Sequence, residues 1–177
     1  MKTWRAARAA MVTLGLAALF RVQAAEPAEL QQFPPDAPLG QTLDGEARRL
    51  ADFAGKPVIV FFWASWCPYC RNEYPVLERL QQAAGRERLQ VVAVNVEERA
   101  VFRKVHRHLA EATQLTLTYD PGEHAAKAFK KPSSLPYTLL LRADGSVAAR
   151  QAGWGEGSPQ FMLEQLNAVL AETPASR

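Results

Sequence analysis

Residues 58–63, VIVFFW, are the strongest constraint in this 177-residue chain. Six consecutive apolar side chains, β-branched and then aromatic, leave neither face of a strand for water. The run therefore reads as a strand buried on both sides. Ala54-Gly55-Lys56-Pro57 breaks the chain before it, and Trp66-Cys67-Pro68-Tyr69-Cys70 follows closely after it. A strand covered on both faces belongs to a sheet with helices above and below.

The remaining pattern agrees with that sheet. A helix is expected over 70–84, stopped by Gly85, then a second buried strand over 89–96 (LQVVAVNV) and a second helix over 100–112. A short strand at 115–119 precedes Asp120-Pro121-Gly122, with a short helix at 123–129. Residues 137–142 and 147–152 form a hairpin around Ala143-Asp144-Gly145-Ser146, where Asp-Gly is the turn signal. An amphipathic helix over 159–171 closes the chain, and Thr42-Leu43-Asp44-Gly45 reads as a turn beside a short edge strand. The fold class is α/β, a central mixed sheet flanked by helices on both faces. With 48% hydrophobic and 22% charged residues and no repeat, the composition suits one globular domain.

The N-terminus reads as export machinery. Lys2, Arg5 and Arg8 precede an apolar stretch over 9–20, shorter than the roughly 20 residues of a bilayer-spanning helix. Val22-Gln23-Ala24 offers small residues at the −3 and −1 positions of a cleavage site after Ala24. Arg21 beside that site leaves an uncleaved anchor as the other reading. No cysteine directly follows the apolar stretch, so no lipid anchor is expected, and the setting is an exported, oxidising one such as a bacterial periplasm. The expected organisation is a signal peptide over 1–24, an irregular proline-rich segment over 25–38 and a folded domain over 39–172. Lys+Arg number 21 and Asp+Glu 18 in the chain. The four basic residues of the first 24 leave 17 against 18, so no nucleic-acid partner follows from charge.

Both cysteines lie in Cys67-Pro68-Tyr69-Cys70. A bridge between them closes almost no loop, so its entropic stabilisation is small, and a domain of this size can build its own core. The pair is read as chemical rather than structural. Pro68 has its φ preset and lacks an N–H, which suits the first position of a helix. Cys67 then stands at the helix N-terminus, where free N–H groups and the macrodipole favour a thiolate. Cys70, one turn on, can resolve a mixed disulfide.

No metal or haem site is expected. Arg71 stands where C-x-x-C-H haem attachment needs histidine, and zinc would need two further ligands. His106 and His108 point apart on a helix, and His124 is isolated. A copper(I)-handling dithiol remains a non-enzymatic alternative, since soft thiolates select that ion. A thiol peroxidase is disfavoured because Phe62-Trp63-Ala64-Ser65-Trp66 lacks the Pro-x-x-x-Thr/Ser approach to the cysteine.

Cys70, Glu73, Leu77, Leu80 and Ala84 recur at helical spacing, a mostly apolar stripe. A carboxylate there would be desolvated beside Cys70 and pushed towards its protonated form, able to take the proton of Cys70. If Pro75 kinks the helix and rotates the register, Glu73 is instead a solvated surface carboxylate. Arg71 and Asn72 are expected to face water.

The segment from Phe62 to Pro75, with its W-C-x-x-C-x-x-E-x-P form, resembles the active-site segment of thioredoxin-fold proteins. It is similar to the TlpA, ResA and CcmG (DsbE) group of exported thiol–disulfide oxidoreductases. The resemblance continues through Leu135-Pro136-Tyr137-Thr138, Asp144-Gly145 and Gly153, over roughly 39–170. It implies a thioredoxin-like fold with the N-terminal extension and central insertion of the TlpA type. Cys67 would attack, Cys70 would resolve, and the two would form the redox disulfide. Glu73 would be a proton acceptor and the sole nearby carboxylate, because Phe61 stands where cytoplasmic thioredoxins carry a buried aspartate. Pro136 would be a cis-proline facing the cysteines, and Leu135 would offer backbone groups to an extended substrate. Trp66, Tyr69 and Trp154 would either line a docking surface or simply pack.

The resemblance also implies a monomer without an organic cofactor, acting on an oxidised protein and recharged by a membrane thiol donor. Ser134-Leu135-Pro136-Tyr137 differs from the Gly-Ala-Pro-Glu stretch of cytochrome c maturation members, which argues against a dedicated apocytochrome role. The Pro-Tyr dipeptide is shared with glutaredoxins and close to those of oxidising relatives. A dithiol oxidase is thus the alternative to a protein-disulfide reductase.

Overall fold

A computed structural model of the protein describes residues 31–172. The expected signal peptide over 1–24 and its cleavage site lie outside the described residues. The chain enters a seven-stranded sheet through β1 (Pro38–Gln41) and the edge strand β2 (Ala47–Arg49), then runs through β3 (Val58–Trp63) into α1 (Pro68–Ala84). Next come β4 (Gln90–Asn95), α2 (Arg99–Leu109), β5 (Thr116–Tyr119) and α3 (His124–Ala128). The hairpin β6 (Tyr137–Leu141) and β7 (Val147–Ala152) leads to α4 (Ser158–Glu172). The spatial order is β2-β1-β5-β4-β3-β6-β7.

β3 is the spine of this sheet. It pairs in parallel with β4, from Val58 opposite Gln90 to Trp63 opposite Asn95. On its other side it pairs antiparallel with β6, from Val58 opposite Leu141 to Phe62 opposite Tyr137. All six residues are buried, as an unbroken apolar run requires of a strand covered on both faces. Ile59, Phe61 and Trp63 pack under α1, α2 and α4, through Leu77, Phe102, Met162, Leu166 and Val169. Val58, Val60 and Phe62 face α3 and the segments before β1 and after β2, where Phe33, Leu50, Ala125 and Phe129 complete the second layer.

The expected elements form, with ends that shift for local reasons. α2 stops at Leu109 rather than 112, because Thr113 turns away to donate its hydroxyl to Glu78 Oε2 on α1 at 2.6 Å. α3 is shorter than 123–129: Glu123 sits at φ 59, and the Asp120 carboxylate accepts the N–H groups of Ala125 and Ala126 at 2.9 and 2.8 Å. The segment before β1 is less idle than its prolines suggested. Phe33 and Ala37 are buried in the core, and the Phe33 N–H donates to the Gly145 carbonyl at 3.0 Å.

Gly40 shows how closely β1 is pressed onto β5. Its φ is +85°, and an added Cβ would stand 2.5 Å from the Tyr119 carbonyl oxygen. Both the left-handed backbone and the contact exclude a side chain. Gly40→Ala is expected to destabilise the protein by about 2 kcal/mol or more, read as a lowered denaturant midpoint with an unchanged slope.

Candidate active site

An interior strand of the sheet leads into the site. Both cysteines stand just beyond the C-terminal end of β3, where Cys67 caps α1 with φ −84 and ψ 110 and Pro68 takes the first helical position. The Cys70 N–H donates to Cys67 Sγ at 3.1 Å, so the sulfur already satisfies one orphan donor of the helix end. Cys67 and Cys70 form a disulfide with their Cα atoms 5.3 Å apart. Both are almost fully buried, at 2% and 1% exposure, whereas their neighbours Trp66 and Tyr69 are 66% and 57% exposed. Most of the surface of those two aromatics is open to solvent beside the buried cysteines.

α1 keeps its register past Pro75. The proline is exposed, so the amide donor it lacks is missing on the solvent side, and Cys70, Glu73, Leu77 and Gln81 form the buried stripe. Leu80 and Ala84 are only partly buried beside it. Gln81 had no sequence signal as a core residue. It belongs there because its amide donates to the Leu89 carbonyl at 2.8 Å and accepts the Val91 N–H at 2.7 Å. Arg71 and Asn72 are exposed.

Glu73 is completely buried, which removes the solvated alternative. The Thr138 hydroxyl on β6 donates to its Oε1 at 2.5 Å, while Oε2 is buried without a hydrogen-bond partner. Burial pushes the carboxyl up from its ordinary 4.5 to about 7, with the Thr138 hydroxyl pulling the other way. A carboxyl held near neutrality one helical turn after Cys70 can accept or return a proton at physiological pH.

Register carries the other elements to the same end of the sheet. Tyr137 opposes Phe62 near the end of β3, and the Leu135–Pro136 peptide just before it is cis. The Gly153 N–H, just past β7, donates to the Pro136 carbonyl at 2.8 Å. Pro136 is buried, Trp154 is half-buried, and Leu135 packs partly against both core layers. Between α1 and α2 lies an apolar groove of about 290 Å³, reaching from Val105 and Leu109 to Trp63, Tyr74 and Cys70.

Glu73 is not the sole carboxylate near the centre, contrary to expectation. Glu97, just beyond β4, accepts from both the backbone N–H and the hydroxyl of Ser65, at 2.6 and 2.9 Å. The pairing of β3 with β4 brings these residues together across 32 positions of sequence, a juxtaposition without a local motif. The histidines stay outside the site: His106 meets Phe102 edge-on, and His108 and His124 are exposed. Among the described residues no cluster of three or more His, Cys, Asp or Glu side chains could hold a metal ion. Also among them, no helix is long and apolar enough to cross a membrane.

Residues 25–150 match the model of the AhpC/TSA family. The thioredoxin-like protein YneN of Bacillus subtilis is 36% identical over 116 residues, 66% of this chain and 67% of that one. The thiol-disulfide oxidoreductase ResA of Halalkalibacterium halodurans is 29% identical over 133 residues, 73% of this chain and 71% of that one. Among solved structures, a DsbE-type thiol:disulfide interchange protein from Chlorobium tepidum superposes with a TM-score of 0.67 at 27% identity. That match covers 80% of this chain and 99% of the other.

The elevated Glu73 carboxyl has a consequence for stability. A carboxyl whose folded value lies above its unfolded one favours folding fully below the unfolded value and loses that contribution as pH rises through the folded one. The oxidised protein is expected to lose roughly 3 kcal/mol of unfolding free energy from this group as pH rises from about 4.5 to above 7. Denaturant titrations across that range should show the loss in the parent and its absence in Glu73→Gln.

Proposed function

Since the chain belongs to the AhpC/TSA family and is a thiol–disulfide oxidoreductase of the TlpA, ResA and CcmG kind, we propose that it is a reductase of protein disulfides in the periplasm. The observation that carries this reading is the buried, near-neutral Glu73 carboxyl one turn behind Cys70 on the helix that Cys67 caps. A resolving thiol must lose its proton to act, and this carboxyl is the group that can take it.

In the proposed cycle the Cys67 thiolate attacks one sulfur of a substrate disulfide, and the other sulfur leaves as a thiolate that takes up a proton. Cys70 passes its proton to Glu73, attacks Cys67 Sγ and expels the second substrate sulfur. Two electrons have then moved to the substrate, and the protein holds the Cys67–Cys70 disulfide. A membrane thiol donor returns the electrons. The exposed Trp66 and Tyr69, with Leu135 and Trp154, form the surface on which an extended oxidised segment docks, beside the cis-proline Pro136. The basic, apolar N-terminus supports export, with 1–24 as signal peptide and 39–172 as the working domain. A peroxidase reading lacks the proline approach to Cys67.

Cys70→Ser is expected to accumulate a mixed disulfide with an oxidised test protein, visible by non-reducing electrophoresis, and Cys67→Ser to form none. Trapping through Cys70 in place of Cys67 would contradict the assignment of attacker and resolver. Glu73→Gln is expected to slow disulfide reduction at pH 7 by about 10²-fold. It should also abolish a rise of the rate with pH near 7; a rate and pH profile equal to the parent's would remove Glu73 from the mechanism.

A further inference from the structure

The turn that delivers Cys67 is fastened from outside its own segment. Within the turn, the Cys67 N–H donates to the Ala64 carbonyl at 3.2 Å. Its middle is tied to residue 97. The Ser65 N–H donates to Glu97 Oε2 at 2.6 Å, and the Ser65 hydroxyl to Oε1 at 2.9 Å. Asn95 orients the carboxylate: its Nδ2 donates to Oε2 at 3.1 Å, and its Oδ1 accepts the Glu97 N–H at 2.9 Å. Both carboxylate oxygens are therefore engaged, and every donor is neutral. None of the ion pairs among the described residues involves Glu97.

Position gives this charge a target. Two residues of chain reach at most about 7 Å, so the carboxylate on the Ser65 N–H lies within roughly 10 Å of the Cys67 backbone, about one Debye length at 0.1 M salt. The N-terminus of α1 pulls the couple one way, because free N–H groups there stabilise a Cys67 thiolate. A stabilised reduced form makes a dithiol pair a stronger oxidant. A negative charge behind the turn opposes that pull.

We propose that Glu97 is a positioning residue of the redox centre: it clamps the turn carrying Trp66 and Cys67 through Ser65, and its unneutralised charge holds the Cys67–Cys70 couple towards the reducing side. This deepens the reductase reading and rests on it. Glu97 touches neither sulfur, and it acts through the Ser65 backbone and through its field. The couple it biases takes up two electrons and two protons as the disulfide becomes two thiols.

The test is the equilibrium of the oxidised and reduced protein with graded glutathione buffers. Glu97→Gln, which keeps the shape and loses the charge, is expected to shift that equilibrium at least threefold towards the reduced protein. That is about 14 mV less negative at 29.6 mV per tenfold. The difference from the parent should shrink in about 1 M salt, where the Debye length falls to about 3 Å; a purely structural role would not respond in that way. Glu97→Asp, with the charge kept but drawn back from Ser65, should fall between the two and carries the test if the Gln protein does not fold. A Gln variant with the parent's potential overturns the assignment, whatever that potential is. An oxidising parent with the Gln shift intact supports Glu97 and counts against the reductase reading alone.

Discussion

Everything at the redox end hangs on the burial of β3 between two layers and two strands. Its six side chains are all withdrawn from water, and at about 25 cal/mol per Å² of apolar area an edge position is closed to so apolar a run. That fixes the strand in the interior of the sheet, with β4 on one side and β6 on the other. Three consequences follow from this one placement. Cys67 is delivered to the sheet end at the start of α1. Thr138, opposite Phe61 on β6, meets Glu73. Residues 95–97, running out of β4, meet the turn that precedes Cys67.

The chemistry then arises from withholding water as much as from the cysteines. The sulfurs are covered while Trp66 and Tyr69 stand out from the surface, a contrast suited to a centre that is reached only when a partner lies against the aromatics. Glu73 has one hydroxyl donor and one orphaned oxygen, an arrangement that would be costly for a carboxylate and is tolerable for a carboxylic acid. Glu97 is the opposite case: three neutral donors sustain its charge without cancelling it. In the proposed mechanism one carboxyl stores a proton and the other supplies a field, and the helix N-terminus works against the second.

Much of this was legible in the sequence because its signals are local. The VIVFFW run, the Cys-Pro pair at a helix start and the Asp-Gly hairpin turn each depend on neighbouring residues. The orientation of Glu73 was not decidable there, because a proline two residues on could have rotated the stripe. It does not, since Pro75 lies on the solvent side, where a missing amide donor leaves no buried carbonyl stranded. Gln81 broke the apolar pattern and is nonetheless core, its amide serving the backbone of the segment entering β4. The Ser65–Glu97 link spans 32 residues and exists only once β3 and β4 are paired. The grouping of α1, α2 and α4 on one face likewise follows from strand order, which periodicity does not encode.

We propose that this buried pair, backed by a near-neutral carboxyl, gives electrons to disulfides rather than taking them from dithiols. The reduction potential of the Cys67–Cys70 couple in graded thiol buffers tests it most directly. Reference values are about −270 mV for thioredoxin and about −120 mV for a strong periplasmic oxidant. For a reductase the potential is expected at or below about −220 mV. A value near that of the oxidant would contradict it and make the protein a donor of disulfides.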